Sequence, residues 1–247
     1  MHTTTTTNGR QKQAHARPHT SRALVSNDTS ATYKIDLHTH SQASPDGVLR
    51  AKDYERMLAS RRLDYIAVTD HDTAEFALRL RKQLGGHIIV GEEISTQQGE
   101  IIGLYISKTI PGGMTAAETV RAIRAQGGLV YIPHPFETVR KGMAPAALDA
   151  LGKTIDIIEV HNGRAIFQNR SGQAAGWAAS HNLPGAAASD THGQLGWGSI
   201  YTRVAAAPTA QSLAALLGSA SYSVRWPRAL GVLYPKINRI RKRWNHA

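Results

Sequence analysis

The sequence predicts an α/β fold built as a small barrel of six to eight strands, and three observations carry that prediction. From Tyr33 onward, short apolar, β-branched runs alternate with segments of helical periodicity, and strand-helix-strand alternation implies a parallel sheet. The alternation occupies about 200 residues between Tyr33 and Pro235, a length that suits a small barrel with few insertions. Six of the strand-like runs end on a residue that can hold a metal, and in parallel α/β folds the carboxyl ends of the strands face one common rim.

Taken in chain order, Lys34 to Leu37 is the first strand and delivers His38-Thr39-His40. Helical spacing follows over Ala51 to Arg62, and Tyr65 to Thr69 then delivers Asp70-His71-Asp72. After a helix over Ala74 to Leu84, Ile88 to Val90 runs into Gly91-Glu92-Glu93. Gly99 to Tyr105 reads as an extra strand paired with the one before it through the Gln97-Gln98-Gly99 turn. Thr115 and Glu118 form a capping box at the start of a helix over Thr115 to Gln126, which Gly127-Gly128 ends. Leu129 to Ile132 leads into Pro133-His134-Pro135, and Pro145 to Leu151 is helical. Ile155 to Val160 reaches His161-Asn162, Arg164 to His181 is helical, Ala186 to Ser189 reaches Asp190-Thr191-His192, and Thr209 to Leu217 is the last helix of the series.

Composition bounds the rest. A chain of 247 residues with 41% hydrophobic content supports one sizeable core, so one domain is expected. Cysteine is absent, which excludes disulfides, thiolate metal sites and a cysteine nucleophile. No apolar run approaches roughly 18 residues and the N-terminus lacks a signal-like apolar stretch, so a soluble cytoplasmic protein is the simplest expectation. Residues 1–30, a threonine run followed by polar and basic residues, have almost no aliphatic content and are expected to be a disordered tail. Residues 31–225 form the expected barrel domain and 226–247 a basic C-terminal appendage. The net charge of +11 is unevenly spread: residues 1–30 carry four Arg/Lys against one acid, and 236–247 five against none, which leaves twenty against seventeen between them. Basic tails add salt-sensitive affinity for polyanions, or keep the chain soluble.

Imidazole and carboxylate are the ligands of borderline and hard divalent cations. One His-x-His pair is weak evidence, but its recurrence with acids at other strand ends points to a metalloenzyme. His161 falls at a strand end too, and there a structural or substrate-facing imidazole is the commoner case. His87 and His181 read as structural or surface residues.

These motifs, in this order, resemble the PHP (polymerase and histidinol phosphatase) domain family, in the manner of its short stand-alone phosphoesterases. The family's opening H-x-H with a following acid is similar to His38-Thr39-His40 and Asp46, and its second motif to Val68-Thr69-Asp70-His71-Asp72-Thr73. Gly91-Glu92-Glu93-Ile94-Ser95 places the family's glutamate at Glu93. Where the pattern usually has a histidine this chain has Glu100, which keeps a ligand but adds negative charge and puts the metal's identity in doubt. Pro133-His134-Pro135 and Ser189-Asp190-Thr191-His192-Gly193 match the last two elements. The resemblance covers about Lys34 to Val204. It implies a distorted (β/α)7-type barrel whose metal site lies at the C-terminal ends of the strands. The implied ligands are His38, His40, Asp46, His71, Glu93, Glu100, His134, Asp190 and His192, for two or three divalent ions, with Mn, Fe and Zn all compatible.

The reaction so implied is phosphoester hydrolysis by a metal-activated hydroxide. Arg164, directly after the fifth strand, is the candidate phosphate-binding cation, with Arg140 and Lys141 next. Asp72 and Asp70 flank His71 and are placed to orient it or to carry a proton. The substrate expected is a phosphorylated small molecule, a nucleotide, a nucleoside bisphosphate or a short oligonucleotide, with no membrane partner. Two alternatives stand beside this reading: a metal-dependent C–N hydrolase of the amidohydrolase kind, against which the lack of a strand-end lysine counts, and a nucleic-acid-binding or regulatory protein with a structural metal.

Overall fold

A computed structural model describes residues 1–2, 32–165, 168–225 and 234–245. The chain divides into two units, 1–30 and 31–247, and all elements named here belong to the second. The tail expected over 1–30 lies, from residue 3 on, outside the described residues, as do 226–233 of the expected C-terminal appendage.

Nine strands form one sheet in the order β7-β6-β5-β4-β3-β2-β1-β8-β9. They are β1 Tyr33–Asp36, β2 Tyr65–Val68, β3 Ile88–Thr96, β4 Gly99–Leu104, β5 Leu129–Ile132, β6 Ile157–Asn162, β7 Gly185–Ala188, β8 Ile200–Val204 and β9 Ser221–Val224. The pairs β1–β2, β2–β3, β5–β6 and β6–β7 are parallel, so six carboxyl ends share a rim as expected. The extra strand β4 runs antiparallel to both β3 and β5. Its reversal brings its first residues, not its last, to that rim.

The sheet nearly closes on itself. At the rim, Asp190 N–H donates to the His38 carbonyl and His40 N–H to that of Thr191, both at 2.9 Å, which joins the end of β7 to the end of β1. At the other end β8 fills the gap: Thr202 Oγ1 accepts from Ala187 N–H at 2.8 Å and donates to Ala187 O at 2.9 Å. The result is a barrel-shaped sheet with β9 as an outer addition to β8.

Alternation along the strands sorts the core into two shells. Ile35, Ala67, Ile89, Ile102, Tyr131 and Ile157 fill the inside, with Leu213 and Leu217 of α6 (Leu213–Leu217) packed among them. Ile66, Val68, Ile88, Val130, Ile132 and Ile158 face outward under the helices. These are α1 Ala51–Ala59, α2 Glu75–Leu84, α3 Ala116–Arg124, α4 Pro145–Leu151 and α5 Ser171–Ser180. The capping box expected at Thr115 is present, its Oγ1 accepting from Glu118 N–H at the start of α3.

Several helices are shorter than their periodicity. The helix expected from Arg164 begins only at Ser171, because Asn162 Oδ1 accepts the Arg164 N–H and Asn169 Oδ1 that of Ser171, holding turns instead. Thr209 and Ser212 bond each other's backbone in the same way, which delays α6 to Leu213. Helix α1 ends at Ala59, two residues before Arg61 takes a left-handed φ of 52°. A final helix, α7 (Tyr234–Asn245), lies against the rim of the barrel.

Candidate metal centre

The inward face that carries Ile89, Ile102 and Ile157 also carries Glu93, Glu100 and Glu159, because each glutamate is an even number of residues away. That parity places three buried carboxyl groups inside the mouth of the barrel. The histidines reach them from the loops that follow the strands.

Glu93 is the hub. Its Oε1 lies 3.0 Å from His134 Nε2 and 3.5 Å from His38 Nε2, and its Oε2 3.1 Å from His71 Nδ1 and 3.3 Å from His40 Nε2. Asp190 Oδ1 stands 3.4 Å from His40 Nε2 and 3.7 Å from His38 Nε2. On the other side Asp46 Oδ1 lies 3.3 Å from His192 Nε2 and 3.6 Å from His71 Nε2. Glu100 Oε2, at the start of β4, is 3.7 Å from His134 Nε2. All nine residues expected as ligands therefore meet in one cluster.

Four overlapping triads among them have ligand atoms within 4.8 Å of one another: His40, His71 and His192; His38, His40 and Asp190; His38, Glu93 and His134; His71, Glu93 and Glu100. Buried atoms without a hydrogen-bond partner among the described residues include Asp46 Oδ1, His192 Nε2 and His134 Nδ1. Unpaired buried donors and acceptors are costly, and a mixed imidazole and carboxylate set is what divalent cations take. The residues present thus fit bound metal.

Electrostatics agree. Burial and then the Glu93 charge push the Glu100 carboxyl up to about 9. Burial would raise Glu93 as well, but the charges of His38 and His71 hold it well below the usual range. Burial also opposes ionisation of Asp190, and His38 and Arg164 overcome it. The cluster concentrates negative charge whose natural partner is a cation.

A second layer holds these groups in place. Glu159 accepts from Tyr131 Oη at 2.9 Å, His134 N–H at 2.7 Å and Asn162 Nδ2 at 2.7 Å, and lies 3.1 Å from His38 Nδ1. The Asp70 carboxylate makes no hydrogen bond to the His71 ring among the described residues. It accepts from Ser41 N–H, Ser41 Oγ and Ser44 Oγ, and Ser44 Oγ in turn accepts from His71 N–H and lies 3.2 Å from His40 Nδ1. Asp72 is exposed at the cleft edge, where its Oδ1 accepts the Ser95 N–H at 2.7 Å. Backbone strain gathers here: His134, Asp190 and Asp72 have φ of 29°, 48° and 52°, a region costly outside glycine.

Arg164 lines the cleft, with Nη1 3.4 Å from Asp190 Oδ1 and a buried Nε that has no partner among the described residues. Arg140 is tied to Asp190, Asn162 and Glu137, and Lys141, 71% exposed, lies 4.0 Å from Glu100 Oε1. His161 stays out of the cluster. A bulge between Glu159 and His161 shifts the register, so Asn162 turns to Asp190 and His161 packs edge-on against Tyr222, 5.5 Å between ring centroids. His87 and His181 bond backbone carbonyls away from the site.

Sequence reasoning passed over Glu159 and the helical nature of α7, and it offered Arg140 as a phosphate-binding cation where its guanidinium is tied to Asp190, Asn162 and Glu137. Asn238 Nδ2 donates to the carbonyls of Asp46 at 2.8 Å and His192 at 3.3 Å, and Arg239 Nη2 to Asp46 Oδ2 at 2.8 Å. Pro235, Lys236, Arg239 and Ile240 complete one wall of a cleft of about 740 Å³ that opens from the cluster.

An α/β barrel with a cluster of N and O ligand atoms at its strand ends defines a class of metal-binding barrel proteins. Residues 36–225 match the model of the PHP domain, and the chain belongs to that family. An uncharacterized protein of Methanocaldococcus jannaschii, MJ1587, is 32% identical over 142 residues, 52% of this chain and 81% of its own. Among solved structures, a two-domain protein from Bacteroides vulgatus, described as containing a predicted PHP-like metal-dependent phosphoesterase, superposes with a TM-score of 0.63 at 20% identity, over 84% of this chain and 70% of that one. PsfC from Pseudomonas syringae does so at 0.59 and 19% identity, over 87% and 99%. At these identities the two structures establish the fold alone. Among the described residues, no helix is long and apolar enough to cross a membrane.

Proposed function

We propose that this protein is a metal-dependent phosphoesterase that hydrolyses phosphate esters of nucleotides, nucleoside bisphosphates or short oligonucleotides. The observation that carries the reading is the sharing of His38, His40, His71 and Glu93 between overlapping ligand triads, which suits two or three closely spaced ions rather than one closed structural site. His38, His40, Asp46, His71, Glu93, Glu100, His134, Asp190 and His192 would hold them, as Mn, Fe or Zn. Bound divalent ions lower the pKa of water and neutralise charge developing on phosphoryl oxygens.

The chain's own groups do the rest. Arg164, half-engaged by Asp190 and with no partner for Nε among the described residues, donates to a phosphoryl oxygen in the cleft. Arg140, bound on three sides, orients Asp190. Asp72 sits where a carboxylate can pass a proton between solvent and the leaving group. No lysine directly follows β1, β2, β3, β5, β6 or β7, which favours phosphoester over C–N hydrolysis.

The test is phosphate release from a phosphomonoester, a nucleoside 3',5'-bisphosphate and a short 5'-phosphorylated RNA, by metal-stripped protein with and without Mn²⁺. Metal-restored release from any member is expected, with turnover lost in His40→Ala and Asp190→Ala and kept when residues 1–28 are removed. Silence across the panel from protein shown to hold metal would overturn the reading.

A further inference from the structure

Helix α7 lies beyond the residues that match the family, yet it separates two hollows. One face, Pro235, Lys236, Arg239 and Ile240, looks into the metal cleft. The neighbouring stripe, Asn238, Arg241 and Lys242, at the i, i+3, i+4 spacing of a helix, looks into a second cavity of about 490 Å³, walled from the barrel side by Gln42, Arg50 and Gln194.

The chemistry of this second cavity is one-sided. Those six side chains are three cations and three amides, and among the described residues no carboxylate lines the cavity. The nearby acids are committed elsewhere: Asp53 accepts from Arg50 N–H and Gln194 Nε2, and Asp46 from Arg239. Lys242 is fixed in place but not neutralised, since its Nζ donates to the carbonyls of Gln42 at 2.8 Å and Ser44 at 2.5 Å. Burial draws its pKa below the ordinary lysine value, a penalty that an anion in the cavity would offset. The loop at the cavity floor is built to hold its shape: a Cβ on Gly47 would meet the Ser41 carbonyl at 2.1 Å, so only glycine lets it close.

We propose that this cavity, bounded by Arg50, Arg241 and Lys242, binds a phosphate-type oxyanion. The guanidinium groups of Arg50 and Arg241 present a fan of N–H donors matched to tetrahedral oxyanions. Two sources offer that chemistry. One is an outlying phosphate of a substrate whose reacting end lies in the metal cleft across α7, and this source rests on the phosphoesterase reading. The other is free phosphate acting as an effector. Binding itself depends on neither.

Titration of full-length, metal-stripped protein with inorganic phosphate, read by calorimetry and amide NMR, tests the proposal. Saturable binding is expected, with shifts at Gln194 and Asn238, weakened about tenfold or more in the Arg50→Gln/Arg241→Gln variant. Lys236→Gln, on the cleft side, should bind as the native chain does, and Arg50→Lys should retain part of the affinity, which separates lost charge from lost fold. No saturable binding, or binding lost in Lys236→Gln and kept in the double variant, would overturn the assignment. If the anion is part of the substrate, the double variant raises KM for a short oligonucleotide and leaves that for a chromogenic monoester unchanged. If it is free phosphate, phosphate alters monoester turnover in the native chain but not in the double variant. Should no hydrolysis be found, the binding arm still reads, so this site and the proposed reaction fail separately.

Discussion

Glu159 shows how much of the centre depends on a residue that belongs to none of the ligand triads. It accepts three hydrogen bonds and faces His38 Nδ1 from full burial, which fixes the ring so that Nε2 points at Glu93 and His40. Partners of this kind typically carry 10- to 100-fold in metal affinity. Glu159→Gln keeps one acceptor oxygen and brings an N–H₂ group among donors, so metal affinity should fall about tenfold or more and stability by roughly 1–3 kcal/mol. Metal titration and urea unfolding measure the two, and native affinity in the variant would contradict the positioning role. Glu100 makes a separate test at the same scale. Glu100→His removes a carboxylate that Glu93 already opposes and softens the site, so competitive loading should shift from Mn²⁺ towards Zn²⁺; an unchanged ratio would take Glu100 out of the ligand set. Most of the nine candidate ligands were legible because they follow short strand-like runs in the sequence, and the resemblance to the PHP family supplied Asp46 and Glu100, which no strand end marks. Glu159 was not legible, because it lies within β6, where a buried acid gives no signal until the barrel interior is known.

The elements explain both what the pattern gave away and what it hid. Alternation and length marked the parallel strands, and the turn at Gln97-Gln98-Gly99 marked β4. Nothing local marked β8, whose task is tertiary: it closes the barrel by pairing with β1 on one edge and by Thr202 against β7 on the other. Thr202→Val keeps size and β-propensity but leaves the buried Ala187 N–H and C=O unpaired. The expected cost is about 1–3 kcal/mol, read as a lower midpoint in urea, and an unchanged midpoint would mean that the closure lies elsewhere. Helix α7 was hidden for a related reason. Its basic residues read as a solvated appendage, whereas its contacts run to Asp46 and Gln42, residues 193 and 200 positions earlier in the chain. No periodicity reports pairing at that separation.

Across the whole molecule, charge is arranged against the fold when metal is lacking. The chain carries +11 overall, yet Asp46, Glu93, Glu100 and Asp190 are buried together at the mouth of the barrel. Imidazoles and arginines compensate part of this, and the raised Glu100 carboxyl marks what they leave over. A cation that binds this folded cluster and has no comparable site on the unfolded chain stabilises the fold by mass action, by about 2.7 kcal/mol at a hundred times its dissociation constant. Chelation should therefore lower the melting temperature, and Mn²⁺ or Zn²⁺ should restore it in a concentration-dependent way. The same ions should do much less for Glu93→Gln, because four of the imidazole contacts converge on that one carboxylate. The variant also separates specific loading from general ionic effects: salt acting through the basic tails would shift both proteins alike, whereas binding at the cluster requires Glu93. A melting temperature indifferent to chelator and metal in the native chain would mean that the cluster is held together by its own ion pairs. The phosphoesterase reading would then lose its physical basis.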